Sequence, residues 1–158
     1  MYRIGHSFDF HPLVPDRLLI LGGITIPFEK GLAGHSDADV VLHVVAESIL
    51  GALGAGDLGT HFPDNDPKYK GQSSDFFVKE SIKLAKEAGF VVNNIDVMVY
   101  IEKPSLKEYK PFIKSRIASL LEVDETLVNV KATTMEKKGI IGEGVGIAAE
   151  AIVLLKQK

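Results

Sequence analysis

The sequence predicts an α+β fold: a mixed four- to five-stranded sheet with three helices packed on one face, plus a small N-terminal β-hairpin. Three observations carry that expectation. Runs with strand-like spacing alternate with three stretches of helical spacing. Paired glycines, Gly22-Gly23, split two short apolar runs. The 158 residues are 46% hydrophobic and 25% charged, an ordinary globular composition for a single domain over 1–158. A chain of this size buries roughly 70% of its unfolded surface, so it folds without a disulfide or metal staple.

Taken in order, Tyr2 to Phe10 alternates loosely as a first strand that ends at His11-Pro12. Leu18–Leu21 and Ile24–Ile26 form the hairpin, with the two glycines supplying the positive φ of a two-residue turn. Asp39 or a neighbour caps a first helix, marked by Val40, Val41, Val44, Val45, Ile49 and Leu53 and stopped at Gly54-Ala55-Gly56. Thr60 to Gln72 is polar and holds Pro63, Pro67 and Gly71, which reads as a mobile loop. Ser73-Ser74-Asp75 opens a second helix with Phe77, Ile82, Leu84 and Ala85 toward the core and Gly89 past its end.

Ile95, Val97, Val99 and Ile101 lie two apart on one face of a strand. Pro111 suits the first turn of a third helix carried by Phe112, Ile113, Ile117, Leu120 and Leu121. Val128–Thr134 is a strand, a glycine-rich turn follows, and Ile147–Leu155 closes the chain as a strand apolar on both faces. Burial in an oligomer and an interior place in the sheet both account for that last pattern. Helices on one face leave the other uncovered unless a partner meets it.

Several function classes drop out early. Cysteine is absent, which removes thiol catalysis, Cys-rich zinc sites and disulfide frameworks. A net charge of -3 gives no electrostatic footprint for nucleic acid. The longest apolar stretch, Val40 to Gly56, is interrupted by His43, Glu47 and Ser48 and falls short of a membrane span. The first residues lack a basic segment followed by an apolar one, so the expectation is a soluble cytoplasmic protein without membrane contact.

The chemistry concentrates near the N-terminus, where all five histidines fall within the first 61 residues. Asp9 and His11, two apart on a strand, project from one face about 7 Å apart, close enough to share a divalent ion. His35, Asp37, Asp39 and His43 cluster before and within the first turn of a helix. Asp39 and His43 share a helical face, so either can be a third ligand, and Asp39 also suits an N-cap. Three protein ligands with an open fourth position make a catalytic site rather than a structural one. Further on, Thr133-Thr134-Met135-Glu136-Lys137-Lys138 gathers hydroxyls, a carboxylate and ammonium groups at a strand end, suited to phosphate and to a Mg²⁺ ion or to a solvated turn. Gly142-Glu143-Gly144-Val145-Gly146 lacks dinucleotide and P-loop spacing and reads as a tight turn.

Four segments then stand in one order. They are Gly5-His6-x-Phe8-Asp9-x-His11, His35-Ser36-Asp37-x-Asp39-Val40-x-Leu42-His43, Gly56-Asp57-Leu58-Gly59-x-x-Phe62-Pro63-Asp64, and Asn129-Val130-Lys131-Ala132-Thr133-Thr134-x-Glu136-Lys137. Together, over nearly the whole chain, they resemble the 2-C-methyl-D-erythritol 2,4-cyclodiphosphate synthases of the non-mevalonate isoprenoid pathway. The resemblance implies a homotrimer with active sites between subunits, acting as a phosphorus–oxygen lyase on a cytidine diphosphate substrate. It implies Zn²⁺, or another divalent ion, on Asp9, His11 and His43, with a substrate diphosphate oxygen as fourth ligand. Asp39 is then left as a cap or a supporting partner. Mg²⁺ or Mn²⁺ would sit on Glu136 between the phosphates.

By the same resemblance, His35 and Thr134 stabilise the transition state, with Ser36 beside His35 in the substrate site. Asp57, Leu58 and Gly59 hold the methylerythritol part, and Phe62, Pro63, Asp64, Asn65 and Asp66 lie on the loop closing over it. Ile101, Lys103, Pro104, Ser105 and Leu106, with Ala132, Thr133 and Ile140, line the cytidine side. Some positions depart from the common pattern: Glu143 stands in place of an arginine and Val145 in place of a glutamate. Ser105 replaces a frequent lysine. In some relatives that arginine helps bind an isoprenoid diphosphate on the three-fold axis, so three copies of Glu143 would repel one. A metal-dependent phosphohydrolase and a non-enzymatic nucleotide-binding module each account for single segments, but not for their common order.

Overall fold

A computed structural model of the chain describes residues 1–158. Its main sheet has five strands in the order β4-β1-β7-β5-β6, from β1 (Tyr2–Pro15), β4 (Lys30–Leu32), β5 (Phe90–Tyr100), β6 (Val128–Thr133) and β7 (Gly146–Gln157). Only β5 and β6 run parallel; β1 with β4, β1 with β7 and β5 with β7 are antiparallel. A separate hairpin pairs β2 (Leu19–Leu21) with β3 (Ile24–Ile26) through Gly22 and Gly23, whose φ values of 62° and 78° are those the turn demands. Three long helices, α1 (Val40–Leu53), α3 (Ser74–Glu87) and α4 (Lys110–Leu121), pack on the main sheet, as the sequence predicts. Two single-turn helices complete the set, α2 (Leu58–His61) and α5 (Gly139–Gly142).

The strand period decides what lies under the helices. Val97 and Val99 of β5 and Ala149, Ala151 and Val153 of β7 point inward and are buried. Their alternates face outward, where Ile4 of β1 is 71% exposed, Phe8 56% and Ile152 45%. So one face of the sheet is covered and the other is open. β7 lies between β1 and β5 with its inner face buried, but its interior place in the sheet does not cover its outer face, where Ile152 stands on the open side.

Several boundaries differ from the sequence expectation. β1 does not stop at His11-Pro12 but continues to Pro15. Pro12 sits where pairing passes from β7 to β4, with the N–H of Leu13 bonded to the Val145 carbonyl, so its missing donor breaks no ladder. β4, three residues long and holding Gly31, is too short to show a period. β5 begins at Phe90, directly after Gly89, and ends before Ile101, while β6 ends before Thr134. A bulge between Val92 and Asn94 resets the alternation, which hides the first half of β5.

The Thr60–Gln72 segment holds more structure than a loop reading gives it. It includes the end of α2 and a 3₁₀ turn over Pro67–Tyr69, and the Phe62 ring packs edge-to-face against Tyr69 and Phe76. Phe112, expected in the core, is 62% exposed, because the buried face of α4 runs through Ile113, Ile117 and Leu120. Leu84 of α3 is only half-buried. Ser73 precedes α3, but the capping bonds come from Asp37, whose carboxylate accepts from the N–H and hydroxyl of Ser74.

Candidate metal centre and substrate cavity

The site is built where α1 lies across β1. Gly5, Ser7, Asp9 and His11 share the inner face of the strand. A Cβ on Gly5 would sit 1.8 Å from the Ser48 carbonyl oxygen, so only glycine lets the helix approach this closely. One step along, the Ser7 hydroxyl donates to Glu47 at 2.6 Å. One step further, His43, in the first turn of the helix, faces Asp9 and His11.

The start of α1 is fixed by Asp39, which is fully buried. Its Oδ1 accepts from the backbone N–H groups of Val41 and Leu42, and its two oxygens accept from Gly22 and Gly23 in the hairpin turn. Burial pushes this carboxyl up to about 6, against those amide donors. Asp39 is therefore the cap, tying the hairpin to the helix, and His43 is the residue that meets Asp9 and His11.

One ligand atom from each of Asp9, His11 and His43 lies within 4.8 Å of the others, an arrangement able to hold a metal ion. Asp9 Oδ2 stands 3.3 Å from His11 Nδ1 and 3.6 Å from His43 Nδ1. Ligands about 2.0–2.1 Å from a tetrahedral ion stand about 3.3–3.4 Å apart along an edge, so the spacing fits. The His11 Nδ1 atom is also buried without a hydrogen-bond partner, which a bare protein site leaves unexplained. Burial lowers the His11 imidazole below its ordinary value, Asp9 opposing, which favours the neutral ring that a metal needs. Burial works to raise Asp9, but His43, His11 and the Phe10 N–H outweigh it and hold the carboxylate below its usual range. The residues present fit a divalent ion.

This group opens into a cavity of about 690 Å³. His35 and Ser36 line it from the loop before α1, Leu58 and Gly59 from α2, and Phe62, Asp64, Asn65 and Asp66 from the segment that follows. Asp57 instead caps α2, where the Thr60 hydroxyl and N–H hold its carboxyl below the usual range. Pro63 is adjacent without lining the cavity. Glu47, Tyr69 and Lys70 also line it, with no site role expected from sequence, as does Phe77, which the sequence places in the core. Glu47 stands four residues after His43, and that helical spacing was the available signal. His6 bonds to Glu150 and His61 to the Ala55 carbonyl, so neither joins the metal group.

The phosphate and cytidine candidates lie elsewhere. Ile101 and Leu106 are buried, and Lys103-Pro104 is joined by a cis peptide bond in the connection that holds Ser105. Thr133 closes β6 and Thr134 follows it. Glu136 and Lys137 both have left-handed φ, 50° and 67°, in a turn fastened by Glu102, whose Oε1 accepts from the Met135 and Lys137 N–H groups at 3.2 Å each. Glu102 was not anticipated. Ile140 is 54% exposed in α5. The strand register runs Asp9, Ala149, Val99, Ala132 across the sheet. Three strand spacings, about 14 Å, therefore separate the backbone of the metal group from that of the phosphate group within one chain.

Comparison with known proteins identifies the family. The YgbB family model matches residues 2–156. The 2-C-methyl-D-erythritol 2,4-cyclodiphosphate synthase of Geobacillus kaustophilus is 52% identical over 157 residues, covering 99% of each chain. The protein of that name from Bacillus subtilis is 51% identical over 157 residues, again with 99% of each covered. Among solved structures, the bifunctional IspDF of Campylobacter jejuni superposes with a TM-score of 0.96 at 41% identity; all of this chain is covered, and it spans 43% of that longer one. The CDP complex of Plasmodium falciparum IspF gives a TM-score of 0.88 at 34% identity, with 99% of this chain and 97% of that one covered. With a family model matched from end to end and half-identical relatives over their full length, the chain belongs to the YgbB family.

Proposed function

We propose that the chain converts 4-diphosphocytidyl-2-C-methyl-D-erythritol 2-phosphate to 2-C-methyl-D-erythritol 2,4-cyclodiphosphate and CMP, in the cytoplasm, as one catalytic domain over 1–158. Convergence of Asp9, His11 and His43 beside a cavity lined by His35, Leu58 and Gly59 is the observation that carries this reading. The relatives' shared name gives the product, and the cytidine diphosphate precursor is what the family resemblance implies. The reaction is a phosphorus–oxygen lyase reaction. An oxygen of the 2-phosphate bonds to the β-phosphorus, the bridging P–O bond breaks, and CMP leaves with that electron pair. Four negative charges on the substrate become two on the ring and two on CMP, so no proton need be transferred.

The barrier is the approach of one anion to another. Zn²⁺ or a similar ion on Asp9, His11 and His43, and Mg²⁺ or Mn²⁺ on Glu136, supply the opposing charge when bound. The protein's own residues then serve orientation. Leu58 and Gly59, at the α2 terminus that Asp57 caps, hold the methylerythritol part, and Phe62 to Asp66 shield the cavity from water. His35 and Ser36 meet phosphate oxygens on the cavity side, and Thr134 does so from the β6 end. Lys103 to Leu106, with Ala132, Thr133 and Ile140, take the cytidine.

A homotrimer with sites between subunits fits both the open sheet face, with Ile4, Phe8 and Ile152 exposed, and the separation of the two residue groups within one chain. A second copy brings the Thr134–Glu136 turn of one chain to the metal group of another. The test is mass spectrometry of the products formed by the purified protein with added Zn²⁺ and Mg²⁺. Cyclic diphosphate with stoichiometric CMP is expected. A linear bisphosphate would mean hydrolysis instead, and binding of CDP with no turnover would refute catalysis.

A further inference from the structure

We infer that Arg17 is a positioning residue for the reaction: its guanidinium holds the peptide groups around His35 and so sets the direction of that imidazole in the cavity. The inference rests on the role proposed above for His35. Arg17 lies between β1 and β2, outside every segment that carries the family resemblance. Its Nη1 donates to the Gly34 carbonyl at 3.2 Å and its Nη2 to the Ser36 carbonyl at 3.0 Å. The carbonyl between them, that of His35, accepts from the Gly71 N–H at 3.3 Å.

Three consecutive peptide planes are thereby held, two of them by one side chain. The direction of a Cα–Cβ bond follows from the planes on either side of it. Arg17 fixes the plane before His35, the Gly71 N–H holds the plane directly after it, and Arg17 holds the next plane through the Ser36 carbonyl, so the turn is pinned on both sides of the imidazole. His35 itself is exposed and lies in a loop rather than on a strand or helix, so no regular ladder does this work. The planar guanidinium suits the task because its fork offers two parallel donors at a fixed spacing, which an ammonium cannot do.

Arg17 is itself held in place. Asp16 before it takes a left-handed φ of 63°. A Cβ on Gly31 of β4 would lie 2.2 Å from the Leu18 carbonyl oxygen and 2.6 Å from that of Arg17, so the sheet edge presses directly on this turn. The loop it holds lies against the metal group as well: a Cβ on Gly34 would come within 3.5 Å of His11 Cδ2 and 2.8 Å of the Ala38 Cβ. The result is a line of contacts from the β4 edge through Arg17 to His35 and His11.

The test compares Arg17→Ala, Arg17→Lys and His35→Ala in the zinc-loaded full chain, with kcat, KM and zinc content measured for each. Misplacement of a group by about 1 Å costs up to about a hundredfold in rate, so Arg17→Ala should lose about tenfold or more in kcat. Its KM should stay within about twofold and its zinc content at the wild-type level, because binding and ligation are not what Arg17 serves. Millimolar guanidine should restore much of that loss, and Arg17→Lys, with one ammonium for two carbonyls, should fall between. The ¹⁵N resonances of the His35 ring should broaden in Arg17→Ala and sharpen again with guanidine. Wild-type kcat in Arg17→Ala, where His35→Ala is impaired, would overturn the inference. So would a loss that guanidine leaves untouched while zinc content falls with it. Wild-type kcat in His35→Ala would instead sink the role given to His35, and the ring resonances would then decide alone whether Arg17 positions it.

Discussion

Gly5 and Gly51 stand across the same contact between β1 and α1, yet replacing them by alanine should have opposite effects. The Cβ of Gly5→Ala would meet the Ser48 carbonyl oxygen at 1.8 Å, the Ala52 N at 2.7 Å and the Ala52 Cβ at 2.9 Å. The first two are backbone atoms, so no side-chain rotation relieves the clash. The helix must retreat by about 1.6 Å or more to reach ordinary contact, and overpacking that cannot be relieved locally costs about 3 kcal/mol or more. In a protein of this size each kcal/mol moves Tm by about 2–4 °C, which gives a fall of about 6–12 °C. At Gly51 an added Cβ would meet only the His6 carbonyl oxygen, at 3.8 Å. Gly51→Ala should therefore gain the helix-propensity difference, about 0.5–1 kcal/mol, and melt a few degrees higher.

The same retreat reaches the metal group, because His43 stands five residues from Ser48 on the helix that moves. A ligand set tolerates displacements of about 0.2 Å, far less than the shift required. Gly5→Ala should thus bind zinc at least about tenfold more weakly under conditions where it is still folded, while Gly51→Ala keeps wild-type affinity. Calorimetry and a chelator competition assay measure the two effects. A Gly5→Ala protein that melts with the wild type and holds zinc equally well would refute the packing argument, as would a Gly51→Ala protein that suffers the same losses.

Three other outcomes are expected. His43→Ala should lower bound zinc and abolish cyclisation while melting within a few degrees of the metal-free wild type, as shown by elemental analysis and circular dichroism, since the core closes without the ion. Chains carrying His43→Ala and chains carrying Glu136→Ala, each inactive, should regain about a quarter of wild-type activity when unfolded and reassembled together, because a site built from two copies can draw an intact half from each; no recovery would place both halves in one chain. Farnesyl diphosphate should show no binding by titration calorimetry, because the proposed trimer would set three copies of Glu143 where an arginine is common; micromolar binding would contradict this.

Much of the frame was legible because it rests on local chemistry. The paired glycines fixed the hairpin, and the spacing from Val40 to Leu53 fixed α1 with its end at Gly54. The i, i+2 pair Asp9 and His11 pointed to a metal before any fold was known. The residue spacing leaves Asp39 and His43 both open as third ligand; the family resemblance points to His43, and the structure supplies the physical reason. Both lie on one helical face, and only the hairpin amides of Gly22 and Gly23, sixteen or more residues away in sequence, show that Asp39 is occupied. Arg17 and Glu102 were invisible for the same reason, since each acts on backbone groups far along the chain, and a backbone carbonyl or amide leaves no mark in the sequence. The β5 start was hidden by the bulge at Asn93, and β4 by its length.

The metal group and the core are products of one packing contact, and the spacings explain how. Four residues of helix advance about 6 Å, and two residues of strand about 6.8 Å. A helix laid antiparallel along a strand can therefore keep step with it for a few repeats. Here Ser48 and Ala52 meet Gly5, Glu47 meets Ser7, and His43 meets Asp9. The small mismatch accumulates slowly enough that three successive rungs stay in contact. The sequence sets a glycine at the first rung, where the two backbones touch, a hydrogen bond at the second, and the ligands at the third, where the elements open toward the cavity. A change in how closely α1 rests on β1 must then alter stability and metal affinity together, so the two should fall in parallel across substitutions at Gly5, Ser7 and Glu47. Substitutions at Asp64, exposed on the far wall of the cavity, should change substrate affinity and leave both untouched.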